Sequence, residues 1–355
     1  MAAFSPFARE RAVAEAAVLR AALLTKKIQE KARGVAKGDK SPVTEADFAA
    51  QALMISALQD AFPKDSFVGE EDSTVLRANE QLLQEVYKHV ASAPDVANPE
   101  TGSKFAKPSD HEDMLSLIDR GGKGTGGPNG RFWGMDPVDG TKTFLLGHQY
   151  AISLALIENG QQVVGVLCCP NLKLRNGRVV EESVDKDGLG IMLSAVKGKG
   201  VSVRYLSRSP ELPQATRLER LRGPAELKDL HIVDSRSSTA LRHDVVEQLA
   251  EKFGASYPGT EVWSSHVRYA TLILGGGDAQ VRVPARPGLP VYIWDHAGTQ
   301  LIFTEAGGKI TDLDGKPMDF SAGRELSNNR GMIIAREAVH ADILSGISQL
   351  LAKPS

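Results

Sequence analysis

The sequence predicts a mixed α/β protein in which two α/β layers share one body. Three observations carry that expectation. Segments with helical apolar spacing alternate with short β-type runs along the chain. Asn159-Gly160, between the apolar runs YAISLALIE and QQVVGVLCC, is the strongest short signal for an antiparallel hairpin. A charged, proline-punctuated interval over residues 208–228 suits a link between an N-terminal half, 1–207, and a C-terminal half, 208–355.

The elements follow in chain order. Residues 7–33 are rich in Ala, Leu, Glu and Lys, and Val13, Ala16, Ala17, Leu19, Leu23 and Ile28 recur at helical spacing, which predicts a long opening helix. Gly34 and the polar run after it break that helix. Thr44 and Asp47 stand as Thr-x-x-Asp ahead of FAAQALMISALQDAF, the signature of an N-cap on a second helix that Pro63 closes. SFVGEED reads as a short buried strand running into carboxylates. Residues 91–130 read as loop. Gly122, Gly124 and Gly127 there satisfy G-x-G-x-x-G, but Pro128 and a β-type run follow where a helix would have to open, so a surface loop is expected and not a dinucleotide site. After the hairpin, residues 171–190 suit an exposed loop and GVSVRYLS a strand. LHIVDSRS reads as a strand, TALRHDVVEQLAEKFG as a helix stopped by Gly254, and YATLILGGGDAQVRVP as helix, glycine break and strand. IWDHAGTQLIFTEAGG reads as a strand end, then Asp295 at a helix start, with Gly307-Gly308 as the stop.

Composition narrows the function. The 355 residues are 42% apolar and 24% charged with net charge -2, and acids and bases are interspersed, so neither a nucleic-acid stripe nor a membrane patch is expected. No window reaches the roughly 18 uninterrupted apolar residues of a membrane span. The N-terminal segment is charged where a signal peptide needs an apolar stretch, and Glu10 and Glu15 argue against a transit peptide, so a cytoplasmic protein is expected. The only cysteines, Cys168 and Cys169, are adjacent in an apolar run and read as packing residues.

Carboxylates end several elements: Asp47; Glu70 with Glu71 and Asp72; Asp136 with Asp139; and Asp295. Glu70 and Asp136 end apolar runs and Asp295 follows Ile293-Trp294, so acids are delivered from semi-buried elements where unpaired charge is costly. Cations should neutralise them. Hard oxygen ligands suit Mg²⁺, with water and a substrate phosphate completing the coordination, which is the layout of a phosphoryl-transfer site. In DPVDGT, Pro137 fixes φ so that Asp136 and Asp139 can aim at one point, and the Val138 carbonyl between them is available. Gly140 permits a tight backbone, and the amides of Gly140 and Thr141 can hold an anion as the next helix opens. Thr141, paired with Asp47, could orient and deprotonate a water acidified by the ions.

At these motifs, SPVTEAD, VGEED, DPVDGTKTFLLG and WDHAGTQLIFTEAGG, the chain resembles the inositol monophosphatase superfamily of Mg²⁺-dependent, lithium-sensitive phosphatases. It more closely resembles the 3'(2'),5'-bisphosphate nucleotidase branch, as GGPNGRFW and the SPVTEAD form indicate. The resemblance implies an αβαβα layered sandwich, with an α+β half carrying most metal ligands and an α/β half carrying Asp295 and the nucleotide pocket. It further implies roughly two to three Mg²⁺ ions on Glu70, Asp136, the Val138 carbonyl, Asp139 and Asp295, with Asp47 and Thr141 acting on the water. Ser265, Arg268 and Arg282 match nucleotide contacts, while Arg236, assigned to the same substrate side, stands where the branch usually has histidine. Leu146 replaces an arginine, and ARPGLPVYIWDH departs from the common Lys-Ile-Trp-Asp form. The implied reaction is removal of the 3'-phosphate from adenosine 3',5'-bisphosphate, and from its sulfated precursor, in sulfur assimilation, by a monomer or weak homodimer. The alternatives are an inositol-polyphosphate 1-phosphatase or other small bisphosphate phosphatase, and a non-catalytic nucleotide- or metal-binding regulator. Of the remaining residues, His243 reads as an exposed helix residue, His148 and His296 as locally hydrogen-bonded, and Trp133 and Trp294 as an apolar wall behind the metals.

Overall fold

The computed structural model describes residues 6–32, 41–224 and 226–352. The break expected at Gly34 lies outside them. Two long helices open the chain, α1 (Ala8–Ala32) and α2 (Ser41–Ala61), followed by strand β1 (Ser66–Gly69) and helices α3 (Thr74–Arg77), α4 (Glu80–Ala91) and α5 (His111–Gly122). Then come β2 (Arg131–Asp139), α6 (Thr141–Leu145), β3 (Ala151–Glu158), β4 (Gln161–Cys169), β5 (Ile191–Val196), β6 (Val201–Tyr205) and β7 (Thr216–Arg217). The remainder is β8 (Val233–Asp234), α7 (His243–Phe253), β9 (Thr260–Glu261), α8 (Ser265–Leu274), β10 (Ala279–Arg282), α9 (Ala297–Glu305), β11 (Gly308–Thr311), β12 (Met332–Arg336) and α10 (Glu337–Leu351).

Strands β1 to β7 form one sheet in chain order, β1 and β2 parallel and the rest antiparallel. The hairpin forms as expected: Asn159 and Gly160 both take positive φ, 51° and 72°, the geometry whose twist matches the flanking strands. Strand β7 lies inside the interval expected to be a link and edges this first sheet. A second sheet has the order β10-β12-β11, and a bridge between Ile232 and Ala279 lays the parallel pair β8–β9 against its edge.

Both faces of the first sheet are covered, as the near-continuous apolar strands require. Trp133, Met135, Ile152, Leu154 and Cys168 pack under α1 and α2, while Phe132, Ala155, Leu167 and Cys169 face α8 and α9. The two cysteines therefore pack on opposite faces, both buried as expected. On the far side of α8 and α9 lies the second sheet: Met332 and Ile334 of β12 face them, and the alternate residues Ile333 and Ala335 face α7 and α10. The order of layers is αβαβα.

Several expectations change. Helix α2 begins at Ser41, so Thr44 lies within its first turn and is not its cap. Residues 91–130 are not all loop: Asp110 caps α5 by accepting from the Asp113 amide at 2.9 Å, and Met114, Leu117 and Ile118 bury its inner face. Loop 171–190 is partly interior. Lys26, buried on α1, donates to Pro170 O, Asn171 Oδ1 and Asp185 O, which satisfies its ammonium and ties the loop down. Before Asp295 the chain makes only a single bridge, at Tyr292, and then a turn, in place of a strand.

Candidate active site

The parallel register of β1 and β2 pairs Gly69 with Met135, so Glu70 and Asp136 leave adjacent strand ends side by side. Strand β2 continues against β3 as far as Asp139, and its pairing slips between Asp136 and Asp139: three steps on β2 oppose two on β3. Such a bulge re-aims side chains that strict alternation would send to opposite faces. Pro137, which has no N–H to offer the ladder, sits inside the bulge. Oxygens of Asp136 and Asp139 thereby converge, with a nitrogen of His266, to within 4.8 Å of one another.

Each of the other acids arrives on a separate element. Asp47 projects from α2 and is buried. One turn later Gln51 donates to Glu71 O and Ile118 O and accepts from the Glu71 amide, which fixes the backbone that carries Glu70 and Glu71. Asp295 precedes α9, whose start lies directly on the sheet: a Cβ on Gly165 of β4 would stand 2.4 Å from Gly298 O. Only a glycine there lets α9 approach so closely, and that approach sets Asp295 beside the β2 acids. Arg324 links the two sides, donating to Gly69 O, Gly121 O and Gly124 O while its guanidinium lies 4.6 Å over the Trp294 ring. Nothing local in the sequence marks Gln51, Gly165 or Arg324, because each acts across more than a hundred residues or through backbone atoms.

The electrostatics are those of an uncompensated acidic cluster. Burial first, then Glu71, Glu70, Asp136 and Asp139, holds the Asp47 carboxyl well above the usual range. Burial, then Asp139 and Asp295, does the same to Asp136. Glu70, at the solvent-facing mouth, is raised by lost hydration and by Asp136. Asp295 is pushed up to about 6, by burial and then Asp139, against the pull of His266, Arg282 and Arg268. Asp136 Oδ1 is buried without a hydrogen-bond partner among the described residues. An orphaned carboxylate oxygen surrounded by further carboxylates is costly unless a cation meets it, and the donors are all hard oxygens, so the residues fit Mg²⁺ or a similar ion.

His266 was not singled out from the sequence, and it belongs behind the acids. Its Nε2 lies 3.1 Å from Trp294 O, a pure acceptor, so Nε2 carries the proton and is not free as a ligand. The same nitrogen stands 3.5 Å from Asp136 Oδ2. Its backbone N–H and the Ser264 hydroxyl both donate to Asp139 Oδ2, at 2.6 and 2.5 Å, which places Asp139 at the N-terminus of α8, where the helix dipole favours an anion.

Gly140 takes φ 99°, and a Cβ there would meet Thr143 Oγ1 at 2.7 Å and Ser264 Cβ at 3.1 Å, so the turn into α6 requires glycine. Thr141 is exposed at the first position of α6, and no direct hydrogen bond joins it to Asp47 among the described residues. The Val138 side chain is buried beneath α2. Lys142 reaches over the Trp263 ring at 4.4 Å. Trp263 is held by Glu181, whose buried carboxylate accepts from the Gln149 and Trp263 amides and so fastens loop 171–190 beside the site. Arg268 is buried and donates to Val262 O, Trp263 O and Ser265 Oγ, with Nε unpaired among the described residues. Arg282 lies close enough to Arg268 and Asp295 to affect both. Arg236 is exposed, 3.8 Å from Glu261, and Leu146 is exposed as well.

Three readings of individual residues are corrected. His243 is not an exposed helix residue: it is mostly buried between Asp234 and Ser238 O. Trp133 is no wall behind the acids, because it packs 5.7 Å from Phe62 under α2 and donates to Asp65. Trp294 stacks on Tyr292 at 4.5 Å and offers the acids only its carbonyl, through His266. His296 is locally hydrogen-bonded as expected, its Nδ1 3.0 Å from Tyr269 OH.

The profile of the inositol monophosphatase family matches residues 5–350. The 3'(2'),5'-bisphosphate nucleotidase of Emericella nidulans is 38% identical over 356 residues, covering 97% of this chain and 99% of that protein. The 3'(2'),5'-bisphosphate nucleotidase of Schizosaccharomyces pombe is 39% identical over 354 residues, covering 98% and 97%. Among solved structures, an inositol monophosphatase from Anabaena superposes with a TM-score of 0.59 at 16% identity, covering 97% of each chain, a likeness of fold. An αβαβα sandwich whose strand ends and helix starts bring five carboxylates together agrees with a match that runs nearly end to end: the chain belongs to the inositol monophosphatase family.

Proposed function

We propose that this chain is a Mg²⁺-dependent 3'(2'),5'-bisphosphate nucleotidase that hydrolyses the 3'-phosphate of adenosine 3',5'-bisphosphate, giving AMP and phosphate. The carrying observation is the orphaned, buried Asp136 Oδ1 at the centre of a cluster of acids, in a chain whose relatives of 38 and 39% identity bear that enzyme name over nearly their whole lengths. Those relatives favour the nucleotide over an inositol phosphate, and an enzyme over a regulator. The reading extends to the sulfated precursor, to inhibition by lithium and to a cytoplasmic role in sulfur assimilation. No helix among the described residues is long and apolar enough to cross a membrane.

Glu70, Asp136, the Val138 carbonyl, Asp139 and Asp295 would hold the ions, which when bound supply positive charge to the phosphate and acidify water. Asp47, buried on α2 beside the other acids, takes the proton of the attacking water, and Thr141 orients that water from the start of α6. Amides of Gly140 and Thr141 receive the phosphate. Ser265, Arg268, Arg282 and Arg236 line the side where the rest of the substrate lies, and the fixed guanidinium of Arg268 needs no reordering to meet an anion.

Phosphate release from purified protein tests this, with adenosine 3',5'-bisphosphate, inositol 1,4-bisphosphate and fructose 1,6-bisphosphate compared by kcat/KM, with and without Mg²⁺ and Li⁺. The nucleotide should be preferred and turnover should vanish in chelator. Preference for inositol 1,4-bisphosphate, or turnover untouched by chelator, would overturn the proposal.

A further inference from the structure

The end of β8 carries a hydrogen-bonded cluster that no step above uses. Asp234 is 3% exposed, and all its acceptor capacity is directed inward: Oδ1 accepts from the Ser235 amide at 2.7 Å, and Oδ2 accepts from His243 Nδ1 at 2.7 Å and from the Tyr257 hydroxyl. The other ring nitrogen of His243 lies 2.8 Å from Ser238 O. Both partners of the ring are acceptors, and they hold the imidazole from its two nitrogens. Asp234 and His243 bracket residues 235–242, and the Ser238 contact pins the middle of that loop. Arg236 rides on it, and Ser235 Oγ and Ser237 Oγ pair at 3.3 Å beneath it.

The loop opens beside the candidate substrate side. Arg236 lies 3.8 Å from Glu261, which leads into Trp263, Ser264 and Ser265. Arg268 stands in the fields of Asp234, Arg282 and Asp139 together, which puts this cluster next to the cations that border the acids. Arg236 keeps about half its side chain exposed, with one loose ion pair. A guanidinium on a loop fastened at three points is prepared to receive an anion at little entropic cost.

Resting on the function proposed above, we propose that Asp234, His243 and Tyr257 form a latch that positions Arg236 to select substrates bearing a second phosphate. These three are positioning residues that act through Arg236 and touch neither the reacting phosphate nor the acids.

Steady-state kinetics on adenosine 3',5'-bisphosphate and adenosine 3'-monophosphate test this in the full chain, with Arg236→Ala, His243→Asn, Tyr257→Phe and the double variant of the first two. Losing one charge-assisted contact should raise KM for the bisphosphate about tenfold more than KM for the monophosphate in Arg236→Ala. His243→Asn should shift that selectivity the same way with little change in kcat, and the double variant should be no less selective than the more affected single one. Tyr257→Phe keeps the ring, protects the measurement if His243→Asn fails to fold, and should lose about fivefold in selectivity. Equal KM increases on both substrates, or additive losses in the double variant, would overturn the latch. The wild-type protein separates the two claims: failure to prefer the bisphosphate refutes the proposed nucleotidase, whereas a wild-type preference that survives in the His243 and Tyr257 variants refutes only the latch.

Discussion

Replacing Asp136 by asparagine should stabilise the metal-free protein and abolish most of its stabilisation by Mg²⁺. Asp136 is 1% exposed, has one oxygen without a partner and is pushed toward its protonated form by burial, Asp139 and Asp295. Asparagine keeps the shape and removes the charge. A buried unpaired charge costs several kcal/mol, of which an unsatisfied amide returns about 1–3, so the net gain without metal should be about 1–3 kcal/mol. At about 2.1 cal/mol/K per residue, unfolding of the 355-residue chain carries roughly 0.75 kcal/mol/K of entropy, so the gain reads as about 1–4 °C in Tm. In the unaltered protein, Mg²⁺ at about a hundredfold over its Kd adds about 2.7 kcal/mol, or about 4 °C. Melting curves followed by circular dichroism in EDTA and in excess Mg²⁺ therefore should cross: the variant higher in EDTA, the unaltered protein higher in Mg²⁺. A variant less stable in EDTA that still gains the full Mg²⁺ increment would show that Asp136 is not the uncompensated charge at the centre of the site.

The same acids make metal-free stability depend on pH. Asp295 is raised to about 6 and Glu71 to about 7, so the fold prefers their protonated forms; their stability is whole below the ordinary carboxylate pKa near 4 and is lost as pH rises through 6 to 7. Tm in EDTA should fall between about pH 4 and 7, and a flat or rising profile there would contradict the assignment. Asp47→Asn should lower kcat about 10²- to 10⁴-fold while the Mg²⁺-induced Tm shift persists, as read by phosphate release and melting on one preparation. Gly165→Ala should cost about 1–3 kcal/mol by denaturant titration and also reduce turnover, because its methyl would meet Gly298 O and displace the start of α9 that carries Asp295. Normal activity in that variant would show that the close approach is dispensable.

Much of the architecture follows from local pattern. The apolar spacing of α1, the Asn159-Gly160 hairpin, the αL stop at Gly254 and the helix–glycine–strand run from α8 to β10 depend on residues a few positions apart. Helix α5 was legible in principle, through Asp110 and the spacing of Met114, Leu117 and Ile118, but Pro108 and the glycines after it disguise the segment as loop. His243 resembles any polar residue at a helix start. Its burial depends on Asp234, nine residues back and on a strand.

The acids themselves, the proline and glycine between and after them, and the family to which they belong are properties of the chain read in one dimension. Their convergence is not. A bulge in β2, the parallel register that sets Glu70 beside Asp136, the contact of Gly165 with Gly298 and the Arg324 bridge together decide that carboxylates from residues 47 to 295 share one site. Local sequence can specify which side chain is charged and where the backbone can turn; only packing over long separations decides which charges must meet, and hence where a cation is needed.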